Sequence, residues 1–205
     1  AVRAMSTTEA INLQSNGGSM DFAASFVSFD SGGFTVNFDI ANAFGGGNEI
    51  FTLLLKGGQY KVGNFNKSTG AATESQSVTT TGRNFKPTGY LLSSFQRTGT
   101  ADNIANARLG FGASDGSNVF SMLDSDTQGA TTAVNAINKT TKVFMKDDNS
   151  GQTIDAEADH TSMDNQGFTL SWTTNDAVAL PIGYVAFGSS PGFNKRRKVE
   201  MMDES

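Results

Sequence analysis

Apolar and polar residues alternate along much of this chain. Phe34, Val36, Phe38 and Ile40 occupy every second position, with Thr35, Asn37 and Asp39 between them. Phe168, Leu170 and Trp172 do the same around Thr169 and Ser171. A period of two puts alternate side chains on opposite faces, so these segments predict strands with one buried and one wetter face. Asp30-Ser31-Gly32-Gly33 leads into the first and Asp164-Asn165-Gln166-Gly167 into the second. An acid, a polar residue and a glycine make hairpin turns, because Gly and Asn reach positive φ at little cost. Two hairpins follow, 21–29 with 33–40 and 154–163 with 167–173. Further strands are expected at 49–56, 59–66, 75–81, 88–95, 107–113, 117–123, 131–137, 141–146 and 180–188. Turn signals such as Gly57-Gly58, Ser68-Thr69-Gly70 and Asp115-Gly116 separate them. A short helix is expected near 101–107, and no segment has the pattern of a long amphipathic helix.

The two hairpins are related in sequence. At a constant offset of 134, Asp21, Ala24, Ser28, Asp30, Gly33, Phe34 and Thr35 recur as Asp155, Ala158, Ser162, Asp164, Gly167, Phe168 and Thr169. Phe29/Met163, Val36/Leu170 and Phe38/Trp172 keep their apolar character. After two extra residues in the first copy, IFTLLLKGG (50–58) falls on IGYVAFGSS (182–190). A repeat of this kind defines the units of the chain before anything else does. Residues 1–57 read as a partial first copy, 58–190 as a complete β-sandwich domain and 191–205 as a charged C-terminal tail. The full unit is near 130 residues, an ordinary domain size, and the chain is expected to start in the middle of one. The first copy then completes its core against the full copy or against a neighbouring chain. A residue serving the shared fold belongs in both copies, whereas a special site can occur in one.

Composition agrees with an all-β chain. Gly (23) is abundant, and Phe (16) outnumbers Trp (1) and Tyr (3) among 205 residues. That balance favours strands and tight turns over helices. The absence of Cys excludes disulfides, thiolate zinc ligands and a thiol nucleophile. A net charge of −5 argues against direct nucleic-acid binding. No apolar run reaches the length of a membrane-spanning helix, and LPIGYVAF reads as a buried strand. No secretory leader is visible at the N-terminus as given, and one that existed would have been removed before Ala1. The fold class expected is all-β, a β-sandwich or jelly-roll-like fold with a partial internal duplication.

Candidate chemistry is thin. Gly112-Ala113-Ser114-Asp115-Gly116 matches G-x-S-x-G, but a nucleophile elbow needs a helix after it, and Ser117-Asn118-Val119-Phe120 reads as another strand. A Ser-Asp-Gly hairpin is the simpler account. Gly110-Phe111-Gly112 lacks the following helix of a nucleotide loop. His160 is the single histidine, and its counterpart is Phe26, so a structural or surface role is expected. Asp155, Glu157 and Asp159 alternate and share a face; they could hold a divalent cation or act as glycosidase acids. Only Asp21 survives in the first copy, which favours an acidic edge that resists strand pairing. Asp147-Asp148-Asn149-Ser150-Gly151 reads as a glycine-closed turn and not as a calcium loop. No catalytic, cofactor-binding or metal-binding residue is assigned.

Several pieces together resemble a repeated all-β domain of tailed-bacteriophage virion structural proteins. They are Gly63 with Phe65, the Phe85-Lys86-Pro87 turn into an apolar strand, Gly110-Phe111-Gly112, and Asp164…Gly167-Phe168 with Tyr184-Val185-Ala186-Phe187-Gly188. The likeness spans about 59–190, and its closing part recurs in 1–57. The resemblance implies a non-enzymatic virion component, a capsid decoration or tail-associated part, that works by self-assembly as a homo-oligomer and with other virion proteins. The resemblance supplies no catalytic residues to carry over, and no cofactor, no direct nucleic-acid contact and no membrane association are expected. The alternative is a glycan-binding adhesin module of a phage fibre with a host-surface glycan as partner; the scarcity of Trp and Tyr counts against it. A hydrolase ranks last. The tail supplies the candidate assembly contacts: Phe193, Lys195, Arg196, Arg197 and Lys198.

Overall fold

The structure is a computed structural model that describes residues 8–14, 20–41, 54–55, 57–82, 85–98, 106–127, 134–148 and 153–189. Its described residues form thirteen strands in three antiparallel sheets and no helix. The strands are β1 (Glu9–Gln14), β2 (Met20–Phe29), β3 (Phe34–Ala41), β4 (Gln59–Asn66), β5 (Glu74–Thr79), β6 (Pro87–Ser94) and β7 (Asn106–Ser114), then β8 (Val119–Thr127), β9 (Val134–Lys139), β10 (Phe144–Asp147), β11 (Ile154–Asp164), β12 (Gly167–Thr174) and β13 (Pro181–Gly188).

Two of the sheets pack face to face as a β-sandwich. One has the order β10-β11-β12-β5 and the other β4-β13-β6-β7-β8-β9. Between them lies one apolar core. The first sheet supplies Val78, Phe144, Ala156, Ala158, Phe168, Leu170 and Trp172, and the second Tyr90, Leu92, Ile182, Tyr184 and Ala186. Phe168 is the centre of its aromatic part: it stacks on Tyr90 at 3.9 Å and meets Tyr184 edge-on at 5.7 Å. Full burial of each large apolar side chain contributes roughly 1.5–3 kcal/mol, so this layer dominates stability. Gly112 lets the sheets approach, since a Cβ there would strike the backbone carbonyl of Val143. The glycines of Gly110-Phe111-Gly112 therefore serve packing.

The third sheet, β1-β2-β3, has the register of β10-β11-β12. In it, Ala24 faces Phe38, Phe26 faces Val36, Ser28 faces Thr35 and Phe29 faces Phe34. In the sandwich, Ala158 faces Trp172, His160 faces Leu170, Ser162 faces Thr169 and Met163 faces Phe168. Register shifts fall at Ala23/Ala24 and Phe26/Ser28 in one and at Glu157/Ala158 and His160/Ser162 in the other, the same places at the sequence offset. The flanking strand matches too: Ile11 faces Ala24 and Asn12 faces Ala23, as Phe144 faces Ala158 and Met145 faces Glu157.

A hydrogen-bonded clamp explains which residues recur. Asp30 accepts from Ser28 Oγ at 2.9 Å and Thr35 Oγ1 at 2.6 Å. Asp164 accepts from Ser162 Oγ and Thr169 Oγ1, both at 2.7 Å. Each carboxylate ties the two strands across the turn. The hydroxyl bonds, Thr35 foremost for Asp30 and Ser162 foremost for Asp164, hold both carboxyls below the usual aspartate range.

Several expectations need correction. β1 was not foreseen, because EAINLQ alternates for too few residues to stand out from a loop. Asn106 and Ala107 begin β7, not a helix; the rest of the expected helix, 101–105, lies outside the described residues. Leu54 and Leu55, expected in a strand over 49–56, are not in a strand, and the rest of that segment, 49–53 and 56, lies outside the described residues. β11 is not an edge, since β10 and β12 flank it, so its acids do not guard against strand pairing.

Candidate functional site

The sheets that share a register differ in what covers them. In the sandwich, Phe168, Leu170 and Trp172 are fully buried. Their counterparts on β3 are not: Phe34 and Val36 are half-buried, and Phe38 is 54% exposed. Phe26 (47%) and Phe29 (79%) on β2 are also open, and Phe22 packs against Phe38 beside them, the rings tilted with centroids 5.0 Å apart. The expected buried face of the first hairpin is therefore an exposed aromatic surface. Local alternation built the face, but no described sheet closes over it. The edge differs as well. β12 pairs with β5 along Gly167–Trp172, whereas among the described residues β3 pairs only with β2.

A second apolar surface lies on the outer face of the six-stranded sheet. Val62 (70%), Met122 (42%) and Phe120 (38%) are exposed there, with Leu91, Phe111 and Val185 half-buried between them. A groove of about 590 Å³ runs over this face between β4, β13, β6 and β7, and Glu9 of β1 reaches its rim. Contiguous apolar faces of this kind are how soluble proteins present interaction sites, since isolated exposed apolar residues are ordinary and clusters are not.

The residues weighed for catalysis take structural parts. Ser114 ends β7, and its Oγ accepts from Gly116 N at 3.0 Å. Asp115 accepts from the backbone of Ser117 at 2.9 Å and of Asn118 at 2.6 Å. With the Asn118 backbone bond foremost, these hold the Asp115 carboxyl down at about 2. The G-x-S-x-G segment is thus the β7–β8 hairpin turn. His160 Nδ1 lies 2.9 Å from Tyr90 Oη, inside the sandwich and against the Tyr90 ring. Desolvation pushes the His160 pKa down, against the pull of Asp164 and Asp115, and pushes that of Tyr90 well above its usual range.

The three alternating carboxylates are each tied to a lysine. Asp155 meets Lys146 at 2.7 Å, Asp159 meets Lys142 at 2.8 Å, and Glu157 pairs with Lys139. Among the described residues no group of acidic or imidazole side chains is disposed to hold a metal ion. The acids stand out in the sequence but their lysines do not: Lys139 ends β9 in the opposite sheet, Lys142 lies in the turn that follows, and Lys146 is on β10, the neighbour of β11. Phe193, Lys195, Arg196, Arg197 and Lys198, the predicted assembly contacts, lie outside the described residues.

Fold and surfaces together define an all-β sandwich protein with an additional three-stranded sheet on which, among the described residues, no other sheet packs. The chain matches no protein-family model, no curated protein and no solved structure.

Proposed function

We propose that this is a non-enzymatic structural protein that works by self-assembly, and that its setting is the virion of a tailed phage, as a capsid-decorating or tail-associated component. One observation carries the assembly reading. The β1-β2-β3 sheet repeats the register of β10-β11-β12, yet among the described residues no sheet packs on its aromatic face and no further strand pairs with its β3 edge. The sandwich supplies the template for what such a face binds: another sheet with an apolar surface. The open outer face around Val62, Phe120 and Met122 offers one on a second copy of the chain. Contact between two different surfaces of identical copies is head-to-tail and generates rings or extended arrays. An unpaired edge strand adds backbone hydrogen bonding to the same joint. The virion setting rests on the resemblance of residues 59–190. The lysine-paired carboxylates and the G-x-S-x-G turn support a non-enzymatic reading.

Sedimentation across a concentration series tests the assembly. The wild-type chain is expected to associate, and Phe38→Asp with Phe26→Asp to remain monomeric with the sandwich still folded. A monomer at every concentration, equal for wild type and variant, overturns the reading. Ordered copies at fixed symmetry positions in particle images are the expected outcome for the virion setting.

A further inference from the structure

One buried cation is not accounted for by assembly. Lys67 follows β4, and its side chain is withdrawn from water, with 1% of the residue's surface exposed. Its Nζ contacts the carboxamide oxygen of Asn175 and lies 2.9 Å from Asp176 Oδ1. It also donates to the carbonyls of Ser68 at 2.7 Å and Asp176 at 2.8 Å. The Trp172 ring centroid is 5.3 Å away. Asn175 and Asp176 come directly after β12, in the opposite sheet. The carboxamide is held in place, since Asn175 Nδ2 donates to Gly70 O at 2.9 Å and Ser68 O at 3.3 Å. Asp176 is shared with Lys146 at 3.0 Å. An amine, a carboxamide and a carboxylate thus converge beside an aromatic ring at one end of the sandwich.

The geometry points to a self-catalysed covalent bond between Lys67 and Asn175 that joins the two sheets of the sandwich. In it, the Asp176 carboxylate takes a proton from the Lys67 ammonium, leaving a neutral amine. Nζ forms a bond to Asn175 Cγ, and the amide is re-formed as Cγ–Nδ2 breaks. Asp176 hands its proton to the departing nitrogen, and with the second proton released from Nζ the nitrogen leaves as ammonium. The product is a secondary amide and an unchanged Asp176. No oxidant, metal or second substrate enters the balance. Desolvation by burial lowers the pKa of Lys67 against the attraction of Asp176, in the direction that makes the amine available; a lysine responds to burial in this way because its charge is compact and strongly hydrated. Placement supplies the rest, because groups held in contact react as though at very high concentration.

The repeat gives an independent reason to separate this site from the shared fold. The Asp164 clamp recurs at Asp30, but Asn175 and Asp176 correspond to Ala41 and Asn42. The β-strand end that carries them has therefore kept its register and changed its chemistry. The bond spans 108 residues of chain, so it closes nearly the whole sandwich domain into one loop. A crosslink over a long loop restricts the unfolded chain most, so the bond is expected to raise the stability of the sandwich.

Intact-mass measurement of the denatured full-length chain is the test. After incubation at neutral pH, the expected mass is below the sequence mass by one ammonia, and fragmentation is expected to give a branched peptide joining Lys67 to Asn175. Asn175→Ala and Lys67→Met are expected to show full mass, and Asp176→Asn to form the bond at least tenfold more slowly. Asn175→Asp separates chemistry from folding, since a bond formed there releases water instead. Full sequence mass in the wild-type chain overturns the proposal. So does an ammonia loss mapped elsewhere, such as cyclisation at Asn16-Gly17. The measurement is made on a single chain and is independent of whether the protein assembles.

Discussion

The β1-β2-β3 and β10-β11-β12 sheets are the same local construction in two surroundings. Both have the same pairing, the same two bulges and the same aspartate clamp across the turn. One has a sheet packed on its apolar face and a fourth strand on its edge; the other has neither among the described residues. The difference shows that the residues held in common are those of the hairpin itself. Residues that meet the surroundings differ: at the offset of 134, Phe26 stands against His160, Ala41 against Asn175 and Phe38 against Trp172. Strand geometry and sandwich packing are separable here, the first local and the second not.

Paired substitutions sharpen that separation. The largest effect is expected from Trp172→Ala, which empties the centre of the core and costs about 3–5 kcal/mol. Its counterpart Phe38→Ala removes a half-exposed ring and costs about 1 kcal/mol in the isolated chain. Urea unfolding of both variants measures the contrast; equal losses would mean that the first sheet is as well covered as the second.

Next come the turn glycines. Gly167 has φ +154°, and a Cβ there would collide with the carbonyl of Val78 on β5. Gly33 has nothing within 4 Å of the same position. Gly167→Ala is expected to cost about 3 kcal/mol or more, through strain and loss of the β5 pairing. Gly33→Ala should stay within about 1 kcal/mol of wild type. Thermal unfolding of the two variants reads the difference, and an equally damaging Gly33→Ala breaks the comparison.

The smallest expected effect concerns pH. Burial lowers the folded-state pKa of His160 below its ordinary value, so the folded state binds the proton less readily than the unfolded chain. Its contribution is fully present above about pH 6.5, the unfolded value, and is lost as pH falls through that value toward the folded one. His160→Phe copies Phe26 and removes the titration. The fall in melting temperature between about pH 7 and pH 5 should become shallower in the variant. An unchanged slope places the acid sensitivity elsewhere.

Much of the strand pattern was legible because alternation and turn chemistry act over a few residues. The Phe34–Ile40 and Phe168–Trp172 runs, with their acid-to-glycine turns, defined both hairpins to within a residue or two. Ser28, Asp30 and Thr35 stand out in the sequence only as recurring positions, and nothing in their spacing says that the three meet in a clamp. Misreadings cluster where the answer lay in a distant segment. Asp155, Glu157 and Asp159 suggested an acidic edge because their lysines come from elsewhere: Lys139 from β9 of the opposite sheet, Lys142 from the turn after it and Lys146 from β10. Nothing local marks Lys67, because its partners Asn175 and Asp176 are more than a hundred residues away.

By itself, then, the order of amino acids determined the strands, the hairpins and the relationship between the two sheets, because a period of two and a tight turn are properties of neighbours along the chain. Tertiary structure alone decided which aromatic face is buried, that β5 seals the edge of β12, and that an amine meets a carboxamide at Lys67 and Asn175. Those outcomes depend on which surfaces come together across the fold, and no local pattern carries that information.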